Sequence, residues 1–410
     1  MVVRSMPRDV QEALRPGRGV LSVPQWEHLV FGVTAWLLCG VAKLCRLASV
    51  VDGGHRTSLA RFLSGAEWAA EELLRRVVRD QLRWMKPQRG EVLSLLIDDT
   101  KTAKRGKKME ALTKIWDHVD QRFVHGHILV HAAILFRGVT LPWSFEMWLP
   151  EKYCRDEKLA FRKLTSIAAE MILAFEPPRG VKVRVLFDAF YLCAPLTKAC
   201  ESRGFTWFSV ASKNRTFARA GRGQSGKLGD LAGGVLKHQN QSVRMKRDRG
   251  WRWLRIASVD GSLKKIGRVR IVFSKRPGDP WKNIVAFVTN ETHLAAREIV
   301  SIYERRWAIE VLFKELKGSF GLGSYQMLAR QGIVRHLHLA ALAHLTLTRH
   351  GLTAIGAQAK QPHKDVLLPK FQTRLATLRA DIHRQQTERI VERIKHPKLR
   401  QRLRKILLAV

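Results

Sequence analysis

The spacing of hydrophobic positions changes part-way along the chain and predicts two kinds of structure. In the N-terminal part, residues 23–47 are rich in apolar side chains, and residues 58–82 have the spacing of an amphipathic helix. The sequence Lys-Pro-Gln-Arg-Gly at 86–90 then has the composition of a boundary. We therefore expect a helical region over residues 1–88, in which the segment 55–63 forms either a helix-turn-helix or part of an ordinary bundle.

Short apolar runs bounded by polar residues follow, and they predict buried strands. The predicted strands are 92–97, two strands within 122–136 that turn near Gly126, 181–187 and 206–211, and the predicted helices are 157–175 and 194–203. This alternation of strands and helices is typical of an α/β fold.

Residues 213–290 break this order and are predicted to form a β-rich insertion. A loop marked by three glycines precedes three short alternating runs. These are Gly221, Gly223 and Gly226, and the runs 251–258, 265–273 and 284–288. Trp251, Trp253 and Trp281 fall in this insertion, and we expect them to pack in its core.

The C-terminal part is predicted to be helical. A long helix is expected to begin near Thr292 and to run to Lys317, with Gly318 as its stop. Residues 325–410 are predicted to be helical and basic.

The charge of the chain narrows its functional class. The 410 residues include 73 Lys+Arg against 35 Asp+Glu, a formal net charge of +38. Such an excess indicates a polyanionic partner, most commonly nucleic acid. An anionic membrane surface would favour one polybasic block, whereas here the basic residues are spread over several tracts. These tracts are 101–108, 213–227, 264–275 and 384–405.

Other sequence features favour a cytoplasmic protein without a membrane partner. The five cysteines form no CxxC pair, which suits a reducing compartment. The longest apolar stretch, 29–42, is too short to span a membrane and is expected to be a buried helix. Residues 1–20 carry four arginines and no apolar run, so we expect no secretory signal.

Acidic residues are scarce, and two of them occupy informative positions. Asp98 and Asp188 each follow an apolar strand, where ligands bind in α/β sheets. Two carboxylates that lie close together repel each other unless a cation joins them, and Mg²⁺ prefers such oxygen ligands. Each aspartate could instead cap a turn.

Glu310 is the third candidate carboxylate. On a continuous helix it shares one stripe with Tyr303, Arg306 and Lys317. A surface ion pair between Arg306 and Glu310 is the simpler interpretation. That interpretation does not account for Tyr303 and Lys317 on the same stripe.

The spacing Tyr303-x2-Arg306-x3-Glu310-x6-Lys317 matches the YREK signature of DDE transposases from bacterial insertion sequences. The chain resembles this superfamily over about residues 90–320. The resemblance implies an RNase-H-like mixed sheet with a β-rich insertion, flanked by helical regions. It also implies a catalytic and metal-binding triad of Asp98, Asp188 and Glu310, with DNA contacts from Tyr303, Arg306 and Lys317.

Two further predictions concern the choice between Asp98 and Asp99 and the basic residues near the strand ends. Only one of Asp98 and Asp99 can face the site, because neighbouring residues of a strand point to opposite faces. Thr100 favours Asp98, since members of the family tend to have Ser or Thr at that position. Further DNA contacts are predicted at basic residues near the strand ends, although those at 101–108 could form a solvated loop. They are Lys101, Lys104, Arg105, Lys213 and Arg215.

The resemblance implies a transposase that uses Mg²⁺, with Mn²⁺ as a substitute. It would cleave double-stranded DNA at the terminal inverted repeats of its element and join the 3′-OH ends to target DNA. It would act as a homodimer in a bacterial cytoplasm, associated with the nucleoid. The alternatives are another RNase-H-like metal-dependent nuclease, such as a resolvase, and a non-catalytic DNA-binding protein derived from a transposase.

The expected domain organisation follows from these assignments. It comprises a helical DNA-binding region (1–88), the first part of the catalytic core (89–212), the β-rich insertion (213–290), the core helix with the signature (291–324) and a basic helical region (325–410).

Overall fold

The computed structural model describes residues 2–40, 43–52, 54–117, 121–221, 223, 225–247, 250–356 and 364–407. The helices are α1 (Arg8–Leu14), α2 (Val23–Cys39), α3 (Leu44–Ser49), α4 (Arg56–Ser64), α5 (Ala70–Trp84), α6 (Glu151–Asp156), α7 (Leu164–Leu173), α8 (Ala194–Ser202), α9 (Leu228–Gln239), α10 (Ala296–Glu304), α11 (Trp307–Phe320), α12 (Arg330–Ile355), α13 (Phe371–Glu392) and α14 (Pro397–Leu407). The strands are β1 (Val92–Lys104), β2 (Thr113–Asp117), β3 (Arg122–Phe136), β4 (Val139–Met147), β5 (Lys182–Phe187), β6 (Thr206–Ala211), β7 (Thr216–Arg219), β8 (Ser225–Lys227), β9 (Gln241–Arg247), β10 (Gly250–Leu263), β11 (Gly267–Lys275) and β12 (Val285–Thr289).

All the described strands join one mixed sheet in which β1 is central. β1 pairs antiparallel with β3 on one side and parallel with β5 on the other. The order β4-β3-β1-β5-β6, with β4 on β3 and β6 parallel to β5, is that of an RNase-H-like core. The predicted fold class, with helices at both ends of the chain, is therefore confirmed.

Gly126 does not form the turn predicted within residues 122–136. β3 runs through it without interruption and pairs with both β1 and β2. A Cβ atom at Gly126 would lie 2.4 Å from the Thr102 carbonyl oxygen. The glycine therefore permits the close approach of two strands, and a sequence pattern alone does not separate this role from a turn.

The strands of residues 213–290 extend the same sheet. β12 pairs antiparallel with β6, and β11, β10 and β7 follow in order. Helix α9 in this region was not predicted, because its three glycines weaken the helical pattern.

Two predicted helices differ from the structure, one in its start and one by a break. Of the described helices, the segment predicted as 157–175 contains only α7, which begins at Leu164, and α6 ends before the segment at Asp156. Lys158 lies between them with a φ of 54°, a conformation that no α-helix continues. The segment from Thr292 to Lys317 forms α10 and α11, and helix α11 ends beyond the predicted Gly318 stop, at a left-handed Gly321.

The N-terminal and C-terminal helices form one bundle. α12 packs against α2, α4 and α5, and its Arg335 donates hydrogen bonds to the carbonyl oxygens of Leu63 and Trp68. The Trp36 indole likewise donates to the Phe320 carbonyl at 2.7 Å. The bundle covers most of α2, so residues 29–39 of the longest apolar stretch form a buried helix as predicted, while 41–42 lie outside the described residues. In the described part of the chain, no helix combines the length and the hydropathy needed to cross a membrane.

Candidate functional site

The first two predicted carboxylates lie on adjacent parallel strands: Asp188 follows β5, whereas Asp98 lies within β1, which continues beyond the predicted 92–97 to Lys104. Ile97 of β1 is in register with Phe187 of β5, so Asp98 and Asp188 come next at one edge of the sheet. Burial raises the pKa of Asp98 to about 6, and the charge of Asp188 adds to this rise, while the charge of Arg306 opposes it. The pairing of β1 with β5 therefore brings two mutually repelling carboxylates together.

Helix α11 carries the third predicted carboxylate to the same edge, where it packs on β1 and β4. The guanidinium of Arg306 donates to Asp98 Oδ2 at 2.7 Å and to Glu310 Oε1 at 2.5 Å. Both the Arg306 and the Asp98 side chains are mostly buried, whereas Glu310 is 32% exposed. One arginine thus joins the carboxylates of two distant segments.

The helix that carries this arginine is broken, contrary to the continuous helix predicted to reach Lys317. At the break, the Arg306 amide donates to the Tyr303 carbonyl at 2.9 Å, and the Ile309 amide donates to the Arg306 carbonyl at 3.1 Å. These bonds span three residues, so the chain tightens into a 3₁₀-like turn. The single-stripe argument consequently fails across the break, although Tyr303 and Arg306 remain neighbours.

The other two signature residues also contact this edge. The Arg306 guanidinium lies 5.9 Å from the Tyr303 ring centre, and Tyr303 stacks edge-on against Phe287. Burial raises the pKa of Tyr303 to about 12, despite the opposing charge of Arg306. The Lys317 ammonium donates to the Lys101 carbonyl at 3.0 Å, which ties α11 to β1.

Asp98 and Asp99 have different partners. Asp98 contacts Arg306, whereas Asp99 Oδ1 accepts a hydrogen bond from the Tyr191 hydroxyl at 3.2 Å. Burial raises the pKa of Asp99 as well. Asp98 is therefore the member of the pair that is linked to Glu310.

The backbone after β5 fixes Asp188. Its Oδ1 accepts hydrogen bonds from the amides of Phe190 at 3.0 Å and Tyr191 at 3.3 Å. The sequence analysis did not identify Tyr191. An Asx turn beginning at an aspartate is a recognisable signal, but it does not reveal that the tyrosine hydroxyl reaches across to β1.

The donor set at this edge suits a hard divalent cation, because it consists of carboxylate oxygens that repel each other. Among the described residues, however, no three His, Cys, Asp or Glu side chains converge closely enough to hold a metal ion. The guanidinium of Arg306 lies between Asp98 and Glu310 and supplies the positive charge there. Asp98, Asp188 and Glu310 fit a metal chemically, and a metal that bridges Asp98 and Glu310 would require Arg306 to leave.

The remaining residues predicted to contact DNA differ in their exposure to solvent. Lys101 and Arg105 are exposed, and Lys213 is exposed beside the Lys282 carbonyl, to which it donates. Arg215 is half-buried and donates to the Leu192 carbonyl, in the loop after Asp188. These positions leave Lys101, Arg105 and Lys213 accessible.

Lys104 points inward. Its ammonium donates to the carbonyl oxygens of Gly323 at 2.6 Å and Tyr325 at 2.9 Å. It also lies 3.2 Å from the centre of the Tyr325 ring, and burial lowers its pKa to about 8. The ammonium is used within the protein, which argues against the predicted DNA contact.

The three tryptophans of the predicted insertion do not pack in a core, contrary to expectation. Trp251, Trp253 and Trp281 are 55%, 54% and 47% exposed. Along β10 the inward positions are taken by Leu254 and Ile256, so the alternation places the two tryptophans of this strand outward.

Comparison with known proteins identifies a family. A family model described as DDE superfamily endonuclease matches residues 24–261. The matched segment contains Asp98 and Asp188 and ends before Glu310. None of the curated proteins compared with the chain matches it.

Proposed function

The chain belongs to the DDE superfamily endonucleases, and from this premise we propose that it is the transposase of an insertion sequence. Membership implies a metal-dependent nuclease with DNA as its substrate. The proposal goes further: the protein binds the terminal inverted repeats of its element, cleaves at the element ends and transfers the 3′-OH ends to target DNA.

One observation carries the proposal. Arg306 joins Glu310 to Asp98, so the signature helix meets the edge where the first two carboxylates lie. The family match ends before this helix, and the contact therefore adds an independent link to the spacing of Tyr303, Arg306, Glu310 and Lys317. The signature and the contact together favour a transposase over a nuclease that lacks this helix.

We assign the metal-binding and catalytic roles to Asp98, Asp188 and Glu310. A divalent cation bound there, Mg²⁺ or Mn²⁺, would activate the attacking oxygen and stabilise the leaving oxygen of a phosphodiester. The backbone amides that hold Asp188 would fix its direction, and the Tyr191 hydroxyl would keep Asp99 turned away. No covalent protein–DNA intermediate is needed.

Positioning of the DNA is assigned to the basic side chains around this edge. Tyr303, Arg306 and Lys317 would contact the cleaved end, and the exposed side chains of Lys101, Arg105 and Lys213 would contact DNA as well. Each neutralised phosphate releases counterions, so these contacts would give a salt-dependent affinity. Because two ends must be brought together for excision, we also propose that the protein acts as a homodimer on DNA.

The proposal is tested with a plasmid that carries a marker gene placed between the native flanking ends of the gene. Purified protein, Mg²⁺ and a target plasmid are incubated, and the released marker and its joined products are sequenced. The variant Glu310→Gln removes the proposed ligand. Glu315→Gln is the matched control, because this glutamate lies on the same helix and pairs with His344 at 2.9 Å.

Excision and joining by the wild type and by Glu315→Gln, but not by Glu310→Gln, would support the transposase proposal. Cleavage without joining to the target would support a nuclease or resolvase instead. Binding of the ends without cleavage by any of the three proteins would favour the non-catalytic alternative.

A further inference from the structure

We infer that Arg306 closes the metal site in the free protein and that binding of a DNA end opens it. The inference rests on the proposed function, since it takes Asp98 and Glu310 as metal ligands. It adds an order of events, in which DNA comes first and the metal is bound productively afterwards.

The contacts of Arg306 define the closed state. Its guanidinium donates to Asp98 at 2.7 Å and to Glu310 at 2.5 Å through two different nitrogens. Only 16% of its side chain is exposed. A cation that bridged the same two carboxylates would have to share this space with a positive charge, and two like charges in a partly buried site repel strongly.

The backbone around Arg306 suits a side chain that changes partners. The residue occupies the 3₁₀-like break between α10 and α11, outside the regular part of either helix. Below the break, Ile309 and Leu312 are buried and anchor α11 to the core. Arg306 can therefore leave the carboxylates by rotating its own side chain, while Glu310 stays in place on an anchored helix. A tight turn within an otherwise helical segment often marks a functional hinge.

A phosphodiester is the ligand that fits the released guanidinium. The planar fork of arginine binds phosphate and carboxylate oxygens with the same two-point geometry. A DNA backbone at this edge would thus compete with Asp98 and Glu310 for Arg306. Withdrawal of the guanidinium leaves uncompensated carboxylates, which attract a divalent cation. By linkage, DNA and metal then increase each other's affinity.

The test measures Mn²⁺ binding by electron paramagnetic resonance in the absence of DNA, so it does not depend on cleavage. The wild type is compared with Arg306→Gln, which keeps a hydrogen-bonding side chain but removes the charge. Arg305→Gln is the matched control, because Arg305 is the exposed neighbour. We expect Arg306→Gln to bind Mn²⁺ about tenfold more tightly than either of the other two proteins.

A second titration adds a duplex of the end sequence. The Mn²⁺ affinity of the wild type should then increase toward that of Arg306→Gln, whereas the Mn²⁺ affinity of the variant should change little. An Arg306→Gln affinity equal to or weaker than that of the wild type, in a protein with an unchanged circular dichroism spectrum, would overturn the inference. If the variant does not fold, Arg306→Lys, which keeps a charge with a shorter reach, should bind Mn²⁺ at least as tightly as the wild type. Weaker binding by Arg306→Lys would contradict the closing role.

Failure of the inference can be told apart from failure of the proposed function. The double variant Arg306→Gln, Glu310→Gln should lose the gained Mn²⁺ affinity if Glu310 is a ligand. Tight binding that survives in the double variant would reject the assigned metal site itself. Weak binding in both wild type and Arg306→Gln, further reduced by Glu310→Gln, would keep the site and reject only the closing role of Arg306.

Discussion

Two arginine–carboxylate clusters, one directly before β1 and one at its middle, differ in how their charges are balanced. Glu91, directly before the strand, receives two hydrogen bonds from Arg137, at 2.9 and 2.6 Å, and both side chains are 3% exposed. Arg137 also donates to the carbonyl oxygens of Met85 and Lys86. One positive charge meets one negative charge there, with further hydrogen bonds to the backbone.

The cluster around Asp98 lacks this balance. A single arginine is shared between Asp98 and Glu310, and Asp188 adds a further negative charge nearby. Burial raises the pKa of Asp98, and the charge of Asp188 adds to this rise. The comparison indicates that the Glu91 cluster stabilises the fold, whereas the Asp98 cluster holds surplus negative charge ready for a ligand.

The largest difference between the two clusters is expected in catalysis. Asp98→Asn and Asp188→Asn should each lower the rate of Mg²⁺-dependent DNA cleavage by about 10³-fold or more, because each removes a proposed metal ligand. Glu91→Gln should keep the rate per folded molecule. The rates are measured on end-containing DNA at saturating protein, after the folded fraction has been determined. A cleavage rate of Asp188→Asn close to that of the wild type would remove Asp188 from the site.

Stability should show the reverse order. Glu91→Gln breaks a buried ion pair with Arg137, so we expect a loss of about 3–5 kcal/mol in the free energy of unfolding. Glu176→Gln is the control, because its pair with Arg79 is largely exposed on the glutamate side and should contribute little. Urea unfolding measures all three proteins. Equal stability of Glu91→Gln and the wild type would contradict the structural role of this cluster.

The pH dependence of stability distinguishes the clusters further. The pKa of Asp98 is raised to about 6 in the folded protein, above its unfolded value. The folded state therefore binds the proton more tightly, and stability is lost as the pH rises from about 4 to about 6. In EDTA, we expect the free energy of unfolding of the wild type to decrease relative to that of Asp98→Asn by on the order of 2 kcal/mol over this pH range, as measured by urea unfolding. A difference that does not change with pH would argue against the raised pKa.

Much of the candidate site could be predicted from the sequence, because its signals are local. The apolar runs that end before Asp98 and Asp188 predicted two neighbouring carboxylates. The break at Arg306 could not be predicted, since no Gly or Pro marks it and the apolar period continues through α11. The role of Tyr191 was equally hidden, because its hydroxyl contacts a strand that lies far away in the sequence.

The Glu91 cluster lies outside what the sequence analysis identified. Glu91 and Arg137 belong to different strand ends, and neither position has a distinctive local pattern. Lys104 illustrates the same limit: within a basic tract it resembles a DNA contact, and only the packing of Tyr325 against it reveals its inward contacts. Charge patterns predict a partner well, but the direction of an individual side chain depends on tertiary contacts.

The smallest expected effect concerns the basic residues that follow Asp98. Lys101→Ala and Arg105→Ala should each weaken DNA binding a few-fold and lower the salt-dependence slope by about one. Lys104→Ala should leave the slope unchanged, because its ammonium contacts protein carbonyls. Fluorescence anisotropy at several salt concentrations measures the slopes. A lower slope for Lys104→Ala than for the wild type would restore Lys104 as a DNA contact.

The central claim is that the edge formed by Asp98, Asp188 and Glu310 binds the divalent metal, and affinity cleavage tests it most directly. Fe²⁺ replaces Mg²⁺ in the complex of the protein with DNA ends. Ascorbate and peroxide then generate hydroxyl radicals, which cut the polypeptide backbone close to the metal. The account predicts cuts near residues 98, 188 and 310 that disappear in Glu310→Gln and on addition of excess Mg²⁺. Cuts confined to other segments of the chain, or cuts at these residues that persist in Glu310→Gln, would contradict it.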